Sequence, residues 1–119
     1  MERRKKEDEK MWGNKREYQL IITIVDQGKA EDVIECAKKG GAEGGTILTG
    51  RGAGIHDTSK ILGILIEPEK EVVLTLIEKE KTDAVLEAIV YGMELEKPGK
   101  GIAFVLDVPK AAGIVHGNK

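Results

Sequence analysis

The sequence predicts an α+β fold: a ferredoxin-like βαββαβ unit with one antiparallel sheet. Three observations predict it. Short β-branched runs alternate with two stretches of helical periodicity. The fifteen glycines cluster between those stretches and leave the stretches themselves ordinary. The chain of 119 residues suits one small domain, against a usual range of about 100–200 residues per domain. Hydrophobic residues make up 40% and aromatic ones 3%, so the core has to be built from Ile, Val, Leu and Ala.

The elements follow in order. Residues 1–16 (MERRKKEDEKMWGNKR) form a charged leader of mixed sign without an apolar period, expected to be disordered. Trp12 is its one residue suited to docking on the body. Residues 17–110 are the expected domain, and 111–119 a flexible, Gly-rich tail. The run 18–25 (YQLIITIV) reads as a buried strand. Residues 29–39 set Val33, Ile34 and Ala37 on one helical stripe, and Gly40-Gly41 stops the helix. A short strand at 45–49 (GTILT) runs into Gly50-Arg51-Gly52-Ala53-Gly54. The run 61–66 (ILGILI) is apolar, 67–70 is polar and turn-like, and Pro68 cannot donate to a ladder. Residues 71–77 (EVVLTLI) form a further strand. Residues 81–93 carry Val85, Leu86, Ile89, Val90 and Met93 at helical spacing, with Thr82 the candidate cap. A polar glycine loop at 94–101 leads into the last strand, 101–108.

Strand, helix, strand, strand, helix, strand is the split βαβ order. Both helices then cover one face of the sheet. Strands apolar at nearly every position leave a greasy second face, which burial against identical subunits covers.

Composition excludes several functions. Charged residues make up 34%, yet the formal net charge is −2, so no broad field of one sign is available for nucleic acid. The single Cys36 excludes an internal disulfide and reads as a buried structural thiol. No apolar run reaches the roughly 20 residues of a membrane span, which predicts no membrane insertion. The leader is too charged for a secretory signal, so the chain reads as cytosolic. His56 and His116 are the two imidazoles, far apart in sequence. The segment His56-Asp57-Thr58-Ser59 reads as a polar loop tip, because adjacent loop residues seldom face one another as nucleophile and base or as metal ligands. No catalytic residue and no metal site are expected.

The glycine loops carry the signal. Gly50-Arg51-Gly52-Ala53-Gly54 follows a strand, but no helix and no Lys-Ser/Thr pair follow it, so neither a P-loop nor a dinucleotide fingerprint is present. Glu96-Lys97-Pro98-Gly99-Lys100-Gly101 sets two lysines on glycine-rich backbone, which suits an anion cradle.

On these residues the chain resembles the P-II nitrogen regulatory protein family over about 18–108. Gly44-Gly45-Thr46 enters its strand as the family's Gly-x-Thr does. Gly52-Ala53-Gly54 resembles the Gly-Phe-Gly that opens the family's T-loop. The run 97–108 (KPGKGIAFVLDV) resembles the family's B-loop and last strand. The resemblance implies a homotrimeric signal transducer, not an enzyme, that binds an adenine nucleotide between subunits. It implies Thr46, Gly52 and Gly54 from one chain facing Lys97, Gly99, Lys100 and Gly101 from its neighbour. It also implies docking of a loop at 54–66 onto a protein target, a transporter or metabolic enzyme.

The departures are specific. The family's phosphate-binding B-loop Lys falls on Ile102, and its two Arg beyond the last strand fall on Gly113 and Val115. The Gln that touches magnesium and 2-oxoglutarate falls on His56, and the loop lacks the modifiable Tyr. The loop is also shortened, to about 54–59. Weakened binding of ATP, ADP or AMP is therefore expected, with Lys100, helped by Arg51 or Lys110, as the replacement charge. The alternatives within the same fold are a trimer of the divalent-cation tolerance type and a small enzyme.

Overall fold

The computed structural model describes residues 16–54, 59–61 and 64–114. Strand β1 (Tyr18–Asp26) can lie inside the sheet because it is apolar on both sides. Its Ile21, Thr23 and Val25 are fully buried under the helices, while Leu20, Ile22 and Ile24 alternate onto the opposite face. Helix α1 (Ala30–Lys39) buries Ala30, Val33 and Ala37. The edge strand β2 (Thr46–Arg51) follows, then β3 (Ser59–Ile61) and β4 (Ile64–Ile66). Strand β5 (Glu69–Glu78), a 3₁₀ turn at Lys79–Lys81, helix α2 (Thr82–Gly92) and strand β6 (Ile102–Val108) complete the chain. The main sheet is antiparallel in the order β2-β5-β1-β6, and both helices pack on one face of it. Among the described residues no helix is long and apolar enough to cross a membrane.

The helices approach each other through missing side chains. A Cβ on Gly40 would lie 2.8 Å from the Val85 Cα, and one on Gly92 would collide with Cys36 Sγ. Cys36 is half-buried, packed on the core with its sulfur over Gly92.

Two sequence expectations change. Thr82 does not cap α2. Its own backbone is already helical at φ −56° and ψ −48°, whereas a cap needs extended backbone to fold its hydroxyl over the turn. That hydroxyl is buried without a hydrogen-bond partner. Second, Glu69 and Lys70 are strand, not turn: they pair with Arg51 and Gly50. The ladder runs on because Pro68 accepts from the Gly52 N–H at 3.2 Å, a role that needs no donor. The apolar run 61–66, given no element from the sequence, contributes to β3 and β4. These strands pair with each other and, among the described residues, with no strand of the main sheet, so the described part of 52–68 forms an arm apart from it.

Of the leader, residues 1–15 with Trp12 lie outside the described residues. Its last residue, Arg16, is tied to the body by an ion pair with Glu78 at 2.8 Å.

Candidate functional site

Helix α2 ends at Gly92, Met93 closes its apolar stripe against the core, and the chain turns into the glycine loop at 94–101. Leu95 packs back onto the core and anchors the start of that loop. Its end is anchored by Gly101, at φ 129°. A Cβ there would lie 2.6 Å from the Ile24 carbonyl oxygen, so only glycine lets β6 start against β1. Between the anchors, Gly99 takes φ 78° and Lys97 and Lys100 reach solvent.

Neither lysine is alone. Lys97 Nζ donates to Glu94 Oε2 at 2.8 Å, and Lys100 Nζ lies 3.9 Å from Glu94 Oε1. The hydrogen bond from Lys97, with the charges of Lys97 and Lys100, holds the Glu94 carboxyl below the usual carboxylate range. A pocket of about 570 Å³ opens between α1 and this loop, lined by Lys29, Cys36, Lys39, Glu94, Gly99 and Lys100 among others.

The second glycine segment sits elsewhere. Thr46 is exposed on the edge strand β2, opposite Leu74, and Gly52 and Gly54 stand at the base of the arm. None of the three contributes to that pocket. The register places the end of β2, the start of β5, the end of β1 and the start of β6 at one end of the sheet. The arm base and the glycine loop therefore share an end but lie on opposite edges. Three strand spacings separate them, roughly 14 Å.

At the same end the first backbone donor of α1 and that of Gly28 just before it are already taken. Glu71 Oε1 accepts from the N–H groups of Gly28 and Ala30, each at 2.9 Å. Lys70 pairs with Asp26 at 2.7 Å. The start of α1 is thus closed by the protein's own carboxylate.

The face of the sheet away from the helices carries three rows set by the register. Leu106, Leu20 and Leu76 form one. Phe104, Ile22, Leu74 and Thr46 form the next. Ile102, Ile24, Val72 and Leu48 form the last. Leu48, Leu76, Ile102, Phe104 and Leu106 are exposed there, Ile102 at 56%. Ile22 and Leu74 face each other across β1 and β5 at the middle of this face.

The family model of the nitrogen regulatory protein P-II matches residues 18–118. The chain belongs to the nitrogen regulatory protein P-II family. Among curated proteins none matches at a significant level. Two solved structures are similar to this P-II chain in fold. One is the ATP complex of GlnK from B. subtilis, at TM-score 0.60 and 18% identity, covering 78% of this chain and 83% of that one. The other is the PII protein of Arabidopsis thaliana bound to citrate, at TM-score 0.57 and 22% identity, covering 76% of this chain and 74% of that one.

Two of the three positions that the resemblance sets against family phosphate contacts, Ile102 and Gly113, lie among the described residues. Ile102 lies exposed on the open sheet face beside Ile24, and Gly113 takes φ 85° beyond β6. His56, Asp57, Thr58, Val115 and His116 lie outside the described residues, and the side chain of Ser59 is not described. Arg51 ends β2 opposite Glu69, at the arm base. Sequence reasoning missed Glu94 and Glu71. Glu71 carries no local signal, since it acts on residues 43 and 41 positions away in the chain. Glu94 carries one: it stands just past the last periodic apolar residue, where glycine is the common choice.

Proposed function

We propose that the chain is a P-II-type signal regulator, without catalysis of its own, that assembles as a homotrimer and binds an anionic effector between subunits. One observation carries the reading. The glycine loop and the arm base lie at one end of the sheet on opposite edges, and an uncovered apolar face lies between them. Within one chain they cannot meet. When copies bury that face together, the β6 edge of one approaches the β2 edge of the next. Thr46, Gly52 and Gly54 then oppose Lys97, Gly99, Lys100 and Gly101. An adenine nucleotide is the effector favoured here, since the similar GlnK structure is an ATP complex. Its phosphates would meet Lys100 and backbone N–H groups rather than the residues replaced by Ile102 and Gly113.

The arm at 52–68 is the output. It is joined to the body where the Gly52 N–H bonds the Pro68 carbonyl, beside the effector cleft, and among its described residues β3 and β4 pair with each other and not with the main sheet. Effector state at its base would set how it meets a protein target in the cytosol. Calorimetry with ATP, ADP and AMP on the wild type and on Lys100→Ala tests the reading. Binding is expected to be weak and to fall about tenfold or more with Lys100→Ala, at roughly 1.5–3 kcal/mol for a charge-assisted bond. Tight ATP binding unaffected by Lys100→Ala refutes the relocated charge.

A further inference from the structure

Both helices end in the same backbone motif, and they place different residues in it. At the end of α1 the Gly41 N–H bonds the Lys38 carbonyl and the Ala42 N–H bonds the Ala37 carbonyl, each at 3.0 Å. Gly41 sits at φ 116°. At the end of α2 the Glu94 N–H bonds the Tyr91 carbonyl at 3.3 Å, and the Leu95 N–H bonds the Val90 carbonyl at 3.0 Å. Glu94 sits at φ 55°. The left-handed residue of this motif is usually glycine, sometimes asparagine, because a Cβ there crowds the backbone. Among the described residues Glu94 is the sole non-glycine residue with positive φ. An off-preference residue held in a strained conformation points to a use for its side chain.

That use is visible in its contacts. The Glu94 carboxylate spans both cations of the glycine loop: one oxygen accepts from Lys97 and the other lies near Lys100. A Gly or Asn in the motif would satisfy the backbone and leave both lysines open. The two ion pairs are half-exposed, with side-chain exposures of 63% and 50% for the closer one. Such pairs are weak and exchange readily with another anion.

We propose that Glu94 is an internal competitor for the glycine loop: its carboxylate occupies Lys97 and Lys100, and an anionic effector binds by displacing it. This rests on reading the loop as the effector's anion cradle. Glu94 then sets the affinity of the cleft. It also keeps the lysines of the unliganded loop in one place, so that the incoming anion exchanges one partner for another instead of ordering a loose loop.

Calorimetry of ATP binding to the full chain, at low and at high salt, tests this with wild type, Glu94→Gln and Glu94→Gly. The Gln variant keeps the strained backbone and removes the charge, and the Gly variant relieves both. Both are expected to bind ATP about three- to tenfold more tightly at low salt, the effect of releasing two exposed ion pairs, with the gain shrinking at high salt. Binding by the variants where wild type shows none supports the competitor equally. Tightening in the Gly variant alone overturns it, because the backbone and not the carboxylate is then responsible. Unchanged or weaker binding in both variants, with wild type binding, overturns the competitor and leaves the regulator reading standing. No ATP binding by any of the three overturns the anion cradle, and the competitor with it.

Discussion

At the scale of single residues, the glycine loop depends on two positions that oppose each other in character. Gly101 has no freedom to be anything else, since its φ of 129° and a Cβ contact of 2.6 Å with backbone both exclude a side chain. Gly101→Ala is expected to lower the unfolding free energy by about 2–4 kcal/mol, from backbone strain plus a clash against β1. Urea denaturation reads it, and a loss below 0.5 kcal/mol, on the order of a neutral surface change, would show that β6 shifts freely. Glu94 is the converse, a side chain where glycine is easier. Its carboxyl is held low by the Lys97 hydrogen bond. The sign follows from that depression: the pair stabilises the loop above the ordinary carboxylate range and is lost as pH falls through the lowered midpoint. In a ¹³C NMR titration the Glu94 carboxyl should titrate below exposed glutamates, and Lys97→Met should move it upward. A midpoint indifferent to Lys97→Met would mean that the hydrogen bond is not populated in solution.

At the scale of elements, the helices are positioned by what their neighbours lack or lend. Helix α1 has no side-chain cap of its own, and Glu71 from β5 supplies one by accepting from Gly28 and Ala30. Glu71→Ala should cost about 1–2 kcal/mol, the usual loss for a helix cap, with α1 amides near Ala30 exchanging faster. Unchanged exchange at those amides would show that water replaces the carboxylate. The α1–α2 contact rests on Gly92 lying against Cys36. Gly92→Ala should destabilise clearly by overpacking, and Cys36→Ala should recover part of that loss by vacating the space. Additive losses in the double variant would show that the collision relaxes by helix movement instead. The pairing of β3 with β4 belongs to this scale too, and a two-stranded pairing of that size is marginal by itself in water.

At the scale of the whole molecule, the uncovered sheet face decides the state of the protein. Rows rich in Leu, Ile, Val and Phe run across three or four strands, with Ile22 in the middle row. A patch of that kind on a lone chain drives association. Ile22→Asp is expected to shift the sedimentation coefficient to that of a monomer, because a carboxylate buried in an apolar interface has no partner. A wild type that sediments as a monomer at micromolar concentration would remove the basis for an effector cleft between subunits. An effector that bridged two subunits would stabilise the oligomer by mass action, so loss of assembly in Ile22→Asp should abolish ATP binding as well.

The amino-acid sequence by itself determined the order of elements, the aliphatic core and the family. Period-2 and period-3.6 patterns are local, as are the glycine stops, and the run 97–108 carries its signature in consecutive residues. Helix and strand type followed for Tyr18–Asp26, Ala30–Lys39, Thr82–Gly92 and Ile102–Val108. Tertiary structure decided the rest. Pairing made strand of Glu69 and Lys70, whose polar side chains read locally as a turn. Pairing also kept the apolar run 61–66 out of the main sheet, a choice among partners that no local pattern contains. The left-handed turn at Glu94 follows from Leu95 packing on the core, which fixes the path of the chain before and after it. Register alone placed the glycine loop and the arm base at one end on opposite edges. Hydrophobic periodicity states which residues are to be buried; which partner buries them, and which charges then meet, depends on contacts far apart in the chain.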